Sequence, residues 1–207
     1  MRRRTTPEVN AGSMADIAFL LLIFFLVTTT IEKDKGIARQ LPPAIQDKPQ
    51  VLIKNKNLFE IIVNADNMLL VENERVPLED LRQLTIDFLD NGGIPLGQDE
   101  YCDYCKGSRD LLSSDNPQKA VISISPDRLT NYDTYIKVQN EISSAYEFLR
   151  NREAQRLFAI DFTATDKAIK NGTYKGDVLK RTAQLKQVRT MFPMLISEAE
   201  TSKELRI

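Results

Sequence analysis

The sequence predicts an α+β fold behind a single N-terminal transmembrane helix and a linker. Three observations predict it. An uncharged apolar run, Ile17 to Ile31, is the only stretch greasy enough to cross a membrane. Charges and prolines (Pro42, Pro43, Pro49) crowd the segment that follows. Beyond them, short β-branched runs alternate with segments whose apolar residues recur at helical spacing. The soluble part is expected to be a small mixed β-sheet packed with two or three helices.

Residues 1–10 read as a cytoplasmic tail and 11–31 as the transmembrane helix. The uncharged run alone spans about 22 Å as a helix, short of a bilayer core of about 30 Å. Extending it back to Ala11 supplies the missing length and places Asp16 below the headgroups. Arg2, Arg3 and Arg4 precede the span, and no matching positive excess follows it. The positive-inside rule then puts the N-terminus in the cytoplasm and the C-terminal domain across the membrane. A cleaved signal peptide is the competing reading. Asp16 inside the apolar region, and Thr28-Thr29-Thr30-Ile31 in place of a small-residue cleavage site, argue against it.

Residues 32–57 read as an extended linker. The soluble domain is expected over 58–200, with 201–207 a tail. Leu58-Phe-Glu-Ile-Ile-Val63 reads as a strand, Asn64 to Asn67 as a turn, and Met68 to Val76 as a short returning hairpin. Pro77 opens a helix with Leu78, Leu81, Leu84, Thr85 and Phe88 on one face, and Gly92-Gly93 stops it. Residues 91–118 are polar and turn-rich and look like an inserted loop. Lys119 to Ser125 fits a buried strand. A helix follows, carrying Tyr135, Val138, Ile142, Ala145, Tyr146 and Leu149 and running toward Phe158. Another spans about Thr173 to Phe192, and Met194 to Ser197 reads as the last strand.

Composition excludes several function classes. The chain has 207 residues, a formal net charge of −1 and no histidine, and its mean hydropathy is negative. Near-neutral charge gives no reason to expect nucleic-acid binding. There is no phosphate-cradling glycine loop and no nucleophile motif, so neither an enzyme nor a cofactor is expected. Asp66, Glu72, Glu74 and Asp80 read as solvated turn and helix-start charges. Cys102 and Cys105 form one CxxC pair. Without histidine or a second pair, zinc is poorly supported. A local disulfide is the plainer reading outside the cytoplasm, with free thiols or redox chemistry as the alternatives.

Asp16 carries the functional argument. A carboxylate inside a bilayer costs roughly 2.5–3.5 kcal/mol on insertion scales, and such residues usually face a bundle interior and serve ion pathways. On a helix, Gly12, Ser13, Asp16, Leu20, Ile23 and Val27 share one face. Gly12 and Ser13 are small, which lets helices approach closely in lipid. One helix cannot shield a carboxylate, so Asp16 predicts a second copy, a polytopic partner, or both. Desolvation favours the neutral form of a carboxylate, which suits a group that loads and releases a proton. The alternative is that Asp16 pins an assembly through a hydrogen bond.

Asn10-Ala-Gly-Ser-Met-Ala-Asp16-Ile-Ala-Phe-Leu-Leu-Leu-Ile-Phe-Phe-Leu-Val-Thr28 resembles the signature of the ExbD/TolR family of biopolymer transport proteins. Arg39-Gln-Leu-Pro-Pro43 is similar to that family's Leu-Pro element, and the segment from Phe192 to Glu200 is similar to ExbD of the Bacteroidetes type. The chain departs from the family in having Gly-Ser-Met-Ala before the aspartate, and its soluble domain is longer than in the shorter relatives. The resemblance implies an inner-membrane complex in which a dimer of this chain sits inside a pentamer of an ExbB-like polytopic protein. Proton flow there, through Asp16, would drive motion passed to a TonB-like periplasmic protein and on to outer-membrane nutrient transporters. Leu41 and Pro42 match the linker element thought to engage partners. A TolR-like or gliding-type motor, and a periplasmic adaptor with no ion role, are the alternatives.

Overall fold

The computed structural model describes residues 11–28 and 53–199, which belong to two units, Met1–Pro43 and Ala44–Ile207. The expected tails, residues 29–31 of the span and residues 32–52 of the linker lie outside the described residues. The described residues of the first unit form one helix, α1 (Ala11–Thr28). It contains no proline, one glycine near its start and a single charge. Its 18 residues measure about 27 Å. Among the described residues, no helix is long and apolar enough to cross a membrane.

The second unit is a five-stranded mixed sheet with helices packed on it. Its elements run β1 (Leu58–Val63), β2 (Leu69–Val71), β3 (Glu74–Val76), α2 (Leu78–Leu89), β4 (Val121–Pro126), α3 (Tyr132–Phe158), α4 (Phe162–Lys170), α5 (Val178–Met191) and β5 (Ile196–Glu198). The strand order is β3-β2-β1-β4-β5. β1 to β3 form an antiparallel meander, whereas β4 lies parallel to β1 and β5 parallel to β4.

Alternation writes the sheet. Phe59, Ile61 and Val63 of β1 turn inward together with Ile122 and Ile124 of β4, because the register sets Phe59 opposite Ile122 and Ile61 opposite Ile124. Local turn chemistry returns the chain. The Asn64 side chain accepts the Met68 N–H at 2.8 Å, and Glu72 and Asn73 both take positive φ between β2 and β3, the twist a two-residue hairpin needs. α2 buries Leu81, Thr85, Phe88 and Leu89, and the Phe88 ring stacks on Phe59 at 4.9 Å. α3 is capped by the Asn131 side chain, which accepts the Asp133 N–H. It lays Val138, Ile142, Ala145, Tyr146 and Leu149 on the core and ends at Phe158, where the periodicity points.

Four helices, rather than two or three, pack in this unit. α4 is the unexpected one. Its nine residues bury only Phe162, too short an apolar stripe to announce itself. It is started by Asp161, whose carboxylate accepts the Ala164 N–H at 2.7 Å. α5 begins at Val178, five residues later than the sequence suggests, because the Asp177 side chain caps it there by accepting the Lys180 N–H. Tyr174 therefore lies before the helix, in irregular chain between α4 and α5. A satellite core of Ala154, Phe162, Leu185 and Val188 joins α4 and α5 to the end of α3.

Segment 91–118 contains no helix or strand, yet it is tied to the domain. Asn91 is 1% exposed. Its amide nitrogen donates to the carbonyls of Asp110 and Ser114, and its oxygen accepts from the Ser108 hydroxyl and the Asp110 N–H. That uses the full capacity of the side chain. Gly92 sits at φ 66°, and a Cβ there would lie 2.7 Å from the Cβ of Cys105. Glycine is thus required at this turn on two counts.

The far end of the segment locks onto the start of the domain. Asp115 accepts from the Asn57 amide at 3.0 Å, and its own N–H donates to Asn57 at 2.7 Å. Lys56 pairs with it at 2.5 Å and Lys54 at 3.5 Å. The C-terminal end of the expected linker is thus part of the folded domain. Burial pushes the Asp115 carboxyl up, but the Lys56 and Asn57 hydrogen bonds and both lysine charges outweigh it and hold the group below its ordinary 3.8. A carboxylate depressed in the folded state stabilises above its unfolded value and loses that contribution as pH falls through the folded value. Asp166, depressed by Lys170 and Arg189 against the opposing effect of burial, acts with the same sign. Thermal melts should therefore give a Tm that is flat from pH 7 to about 5 and falls below about pH 4. Asp115→Asn should cost about 1–3 kcal/mol at pH 7 and shallow the acid limb. An unchanged limb would remove Asp115 from this role.

Candidate functional site

α1 sets the candidate site. The spacing of Gly12, Ser13, Asp16, Leu20, Ile23 and Val27 puts all six on one side of the helix. Gly12 and Asp16 are exposed, and Leu20 and Ile23 are 58% and 40% exposed. Large apolar side chains occupy the other sides as well. Met14, Ile17, Phe19, Phe24 and Phe25 are each at least 60% exposed. A helix that is hydrophobic all round needs an apolar environment on every side, and within this unit the described residues offer none. Leu41 and Pro42, the linker element singled out by sequence, lie outside the described residues.

Cys102 and Cys105 are joined by a disulfide, and neither sulfur is a free thiol. Both are buried, at 2% and 5% exposure. Between them, Tyr104 donates its hydroxyl to the Met191 carbonyl at 2.8 Å and sets its ring edge-on to Phe192. The phenol is pushed up to about 12, by burial first and then by the nearby Asp103, Glu153 and Asp90 charges. The disulfide closes a local loop, and Tyr104 within that loop holds segment 91–118 against the end of α5. Among the described residues, no group of histidine, cysteine and carboxylate side chains is placed to hold a metal.

Sequence reasoning passes over a buried ionic cluster next to this loop. Arg152 of α3 reaches Asp90 through two guanidinium nitrogens at 2.5 and 2.7 Å. Its third nitrogen donates to Glu153 at 3.1 Å, and Arg156 meets Glu153 from the other side at 2.6 Å. Asp90 is 4% exposed and Glu153 is fully enclosed. One signal was available. Asp90 puts a negative charge at the C-terminal end of α2, where the helix dipole disfavours it, and such a residue needs a cation brought in by another element.

The model of the family described as biopolymer transport protein ExbD/TolR matches residues 2–148. That range takes in α1 and the domain through most of α3, and leaves α4, α5 and β5 beyond it. The chain is also similar to biopolymer transport protein exbD2 of Vibrio cholerae serotype O1, with 30% identity over 91 residues. The match covers 42% of this chain and 64% of that relative, so the chain spans less than two thirds of the relative's length. With a mixed sheet, an apolar helix bearing one acid, and a family match over well more than half its length, this chain belongs to the ExbD/TolR family of biopolymer transport proteins.

Proposed function

We propose that this chain is the proton-translocating subunit of an ExbB–ExbD type motor in the bacterial inner membrane, which uses the proton motive force to energise a TonB-like protein and outer-membrane nutrient uptake. Asp16, the single charge on an otherwise apolar helix, is the observation that carries this reading. α1, continued through the uncharged residues to Ile31, would be the single anchor, with the N-terminus cytoplasmic and the domain periplasmic. Gly12 and Ser13 would allow close approach of a second copy or of an ExbB-like polytopic partner, a dimer within a pentamer being the expected arrangement. Asp16 would take a proton on one side of the shared interface and release it on the other. One elementary charge moved through 100 mV is worth about 2.3 kcal/mol, enough to bias a step between two packings. The domain, with Leu41 and Pro42 leading into it, would pass that motion to the TonB-like protein.

A second reading is favoured by one fact. α4, α5 and β5 lie beyond the family match, so the downstream partner need not be the one that shorter relatives engage. A TolR-like envelope-stabilising or gliding-type motor fits that difference. Deleting the chain separates the two: failed energised nutrient uptake with an intact envelope is expected, and envelope leakage or lost motility with normal uptake would transfer the chain to the second role.

A further inference from the structure

The hairpin of α4 and α5 carries a local excess of positive charge. Residues 167–186 hold Lys167, Lys170, Lys175, Lys180, Arg181 and Lys186 against Asp177 alone, in a protein of net charge −1. Asp177 is already engaged, accepting the Lys180 N–H at 2.9 Å. Lys170 is paired with Asp166 at 2.8 Å. Arg181 is held in place by the Tyr174 hydroxyl and the Gln184 side chain. Lys167, Lys175, Lys180 and Lys186 have no acidic partner among the described residues. At the tip, between Lys175 and Lys180, Leu179 is 85% exposed and Val178 45% exposed. An aliphatic pair held out into solvent between two lysines without acidic partners is a cost to a domain surface unless something meets both.

We propose that this tip docks onto the surface of a bilayer rich in anionic phospholipid. Lys175, Lys180 and Arg181 meet headgroup phosphates, and Leu179 and Val178 enter the interface beside them. Basic side chains around an exposed apolar residue are the combination that binds such surfaces. The lysines are long and unrestrained, so they suit a fluid array of phosphates better than the fixed carboxylates of an acidic protein. Leu179, 85% exposed at the start of α5, is free to enter the interface beside them. A bilayer is at hand if α1 is the anchor, and to that extent the proposal rests on the reading of α1 given above. It adds a second, electrostatic contact from a part of the chain outside the family match.

The test uses the full chain in lipid nanodiscs, either of phosphatidylcholine alone or with phosphatidylglycerol added. Amide hydrogen exchange over residues 174–181 is compared between the two. Exchange is expected to slow by about tenfold on the anionic discs. The protection should vanish at 1 M salt, where the screening length is about 3 Å, and in Lys175→Glu/Lys180→Glu, whose β1 and α3 amides should exchange as in the parent. Equal exchange on the two lipids would overturn the proposal. So would protection that appears only with rising protein concentration or with an added acidic protein. A chain that does not enter the discs at all refutes the anchor reading instead, and the same exchange experiment on anionic vesicles then decides the tip.

Discussion

Asp16→Asn is expected to abolish energised uptake while the complex with the polytopic partner remains intact. Asparagine matches aspartate in size and keeps a hydrogen-bonding oxygen, so packing around residue 16 and any assembly bond survive. What it removes is a site that can gain and lose a proton. Failed insertion cannot explain a loss, because the carboxylate costs roughly 2.5–3.5 kcal/mol inside a bilayer, and its replacement makes the helix easier to insert. Uptake should fall to that of cells lacking the chain, with the partner recovered in pull-downs at the parental level. Asp16→Glu, which keeps the proton site and moves it by one methylene, should retain part of the activity. Persistent uptake in Asp16→Asn would make residue 16 a structural group and leave the chain an adaptor with no ion role.

Arg152→Ala is expected to give a large stability loss in the soluble domain. Arg152 links Asp90 and Glu153, both enclosed. Burial disfavours its charge, but the hydrogen bond and charge of Asp90, and then those of Glu153, more than compensate and raise its pKa. Truncation leaves Asp90 without its cation and Glu153 with Arg156 alone. Removing one partner of a buried pair costs about 3–5 kcal/mol, since the remaining charge stays desolvated. For a domain of this size that is a Tm lower by about 6–20 °C. The double variant Arg152→Ala/Asp90→Asn should recover part of the loss, because the orphaned charge is then gone. A fall of under about 2 °C in the single variant would show that water already solvates the cluster.

Local signals in the chain correspond to local structure. The run of β-branched and aromatic residues at 58–63 is β1, and the apolar periodicities after Pro77 and around Tyr135 to Leu149 are α2 and α3. Segment 91–118 shows where such signals stop. Its composition reads as loop, and it has no helix or strand, yet Asn91, Tyr104 and Asp115 fasten it into the domain. No period in the sequence encodes that, because a single buried amide satisfying four backbone and side-chain groups leaves no repeating pattern. α4 escaped because it is short: in nine residues only Phe162 and Ile169 reach the satellite core, too few to repeat.

By itself the sequence determined an apolar helix with one acid at Asp16, the existence of a mixed-sheet domain behind it, and the family resemblance that the comparison then bore out. These are properties of continuous segments, where composition and spacing act through the residues next to them. Only the tertiary structure decided that β4 runs parallel to β1, that Asn57 meets Asp115 across 58 residues and that Asp90 meets Arg152 across 62. Such pairings depend on which distant elements share the core. Burial makes them necessary once the chain has closed, since an enclosed charge without a partner costs a large share of a domain's stability.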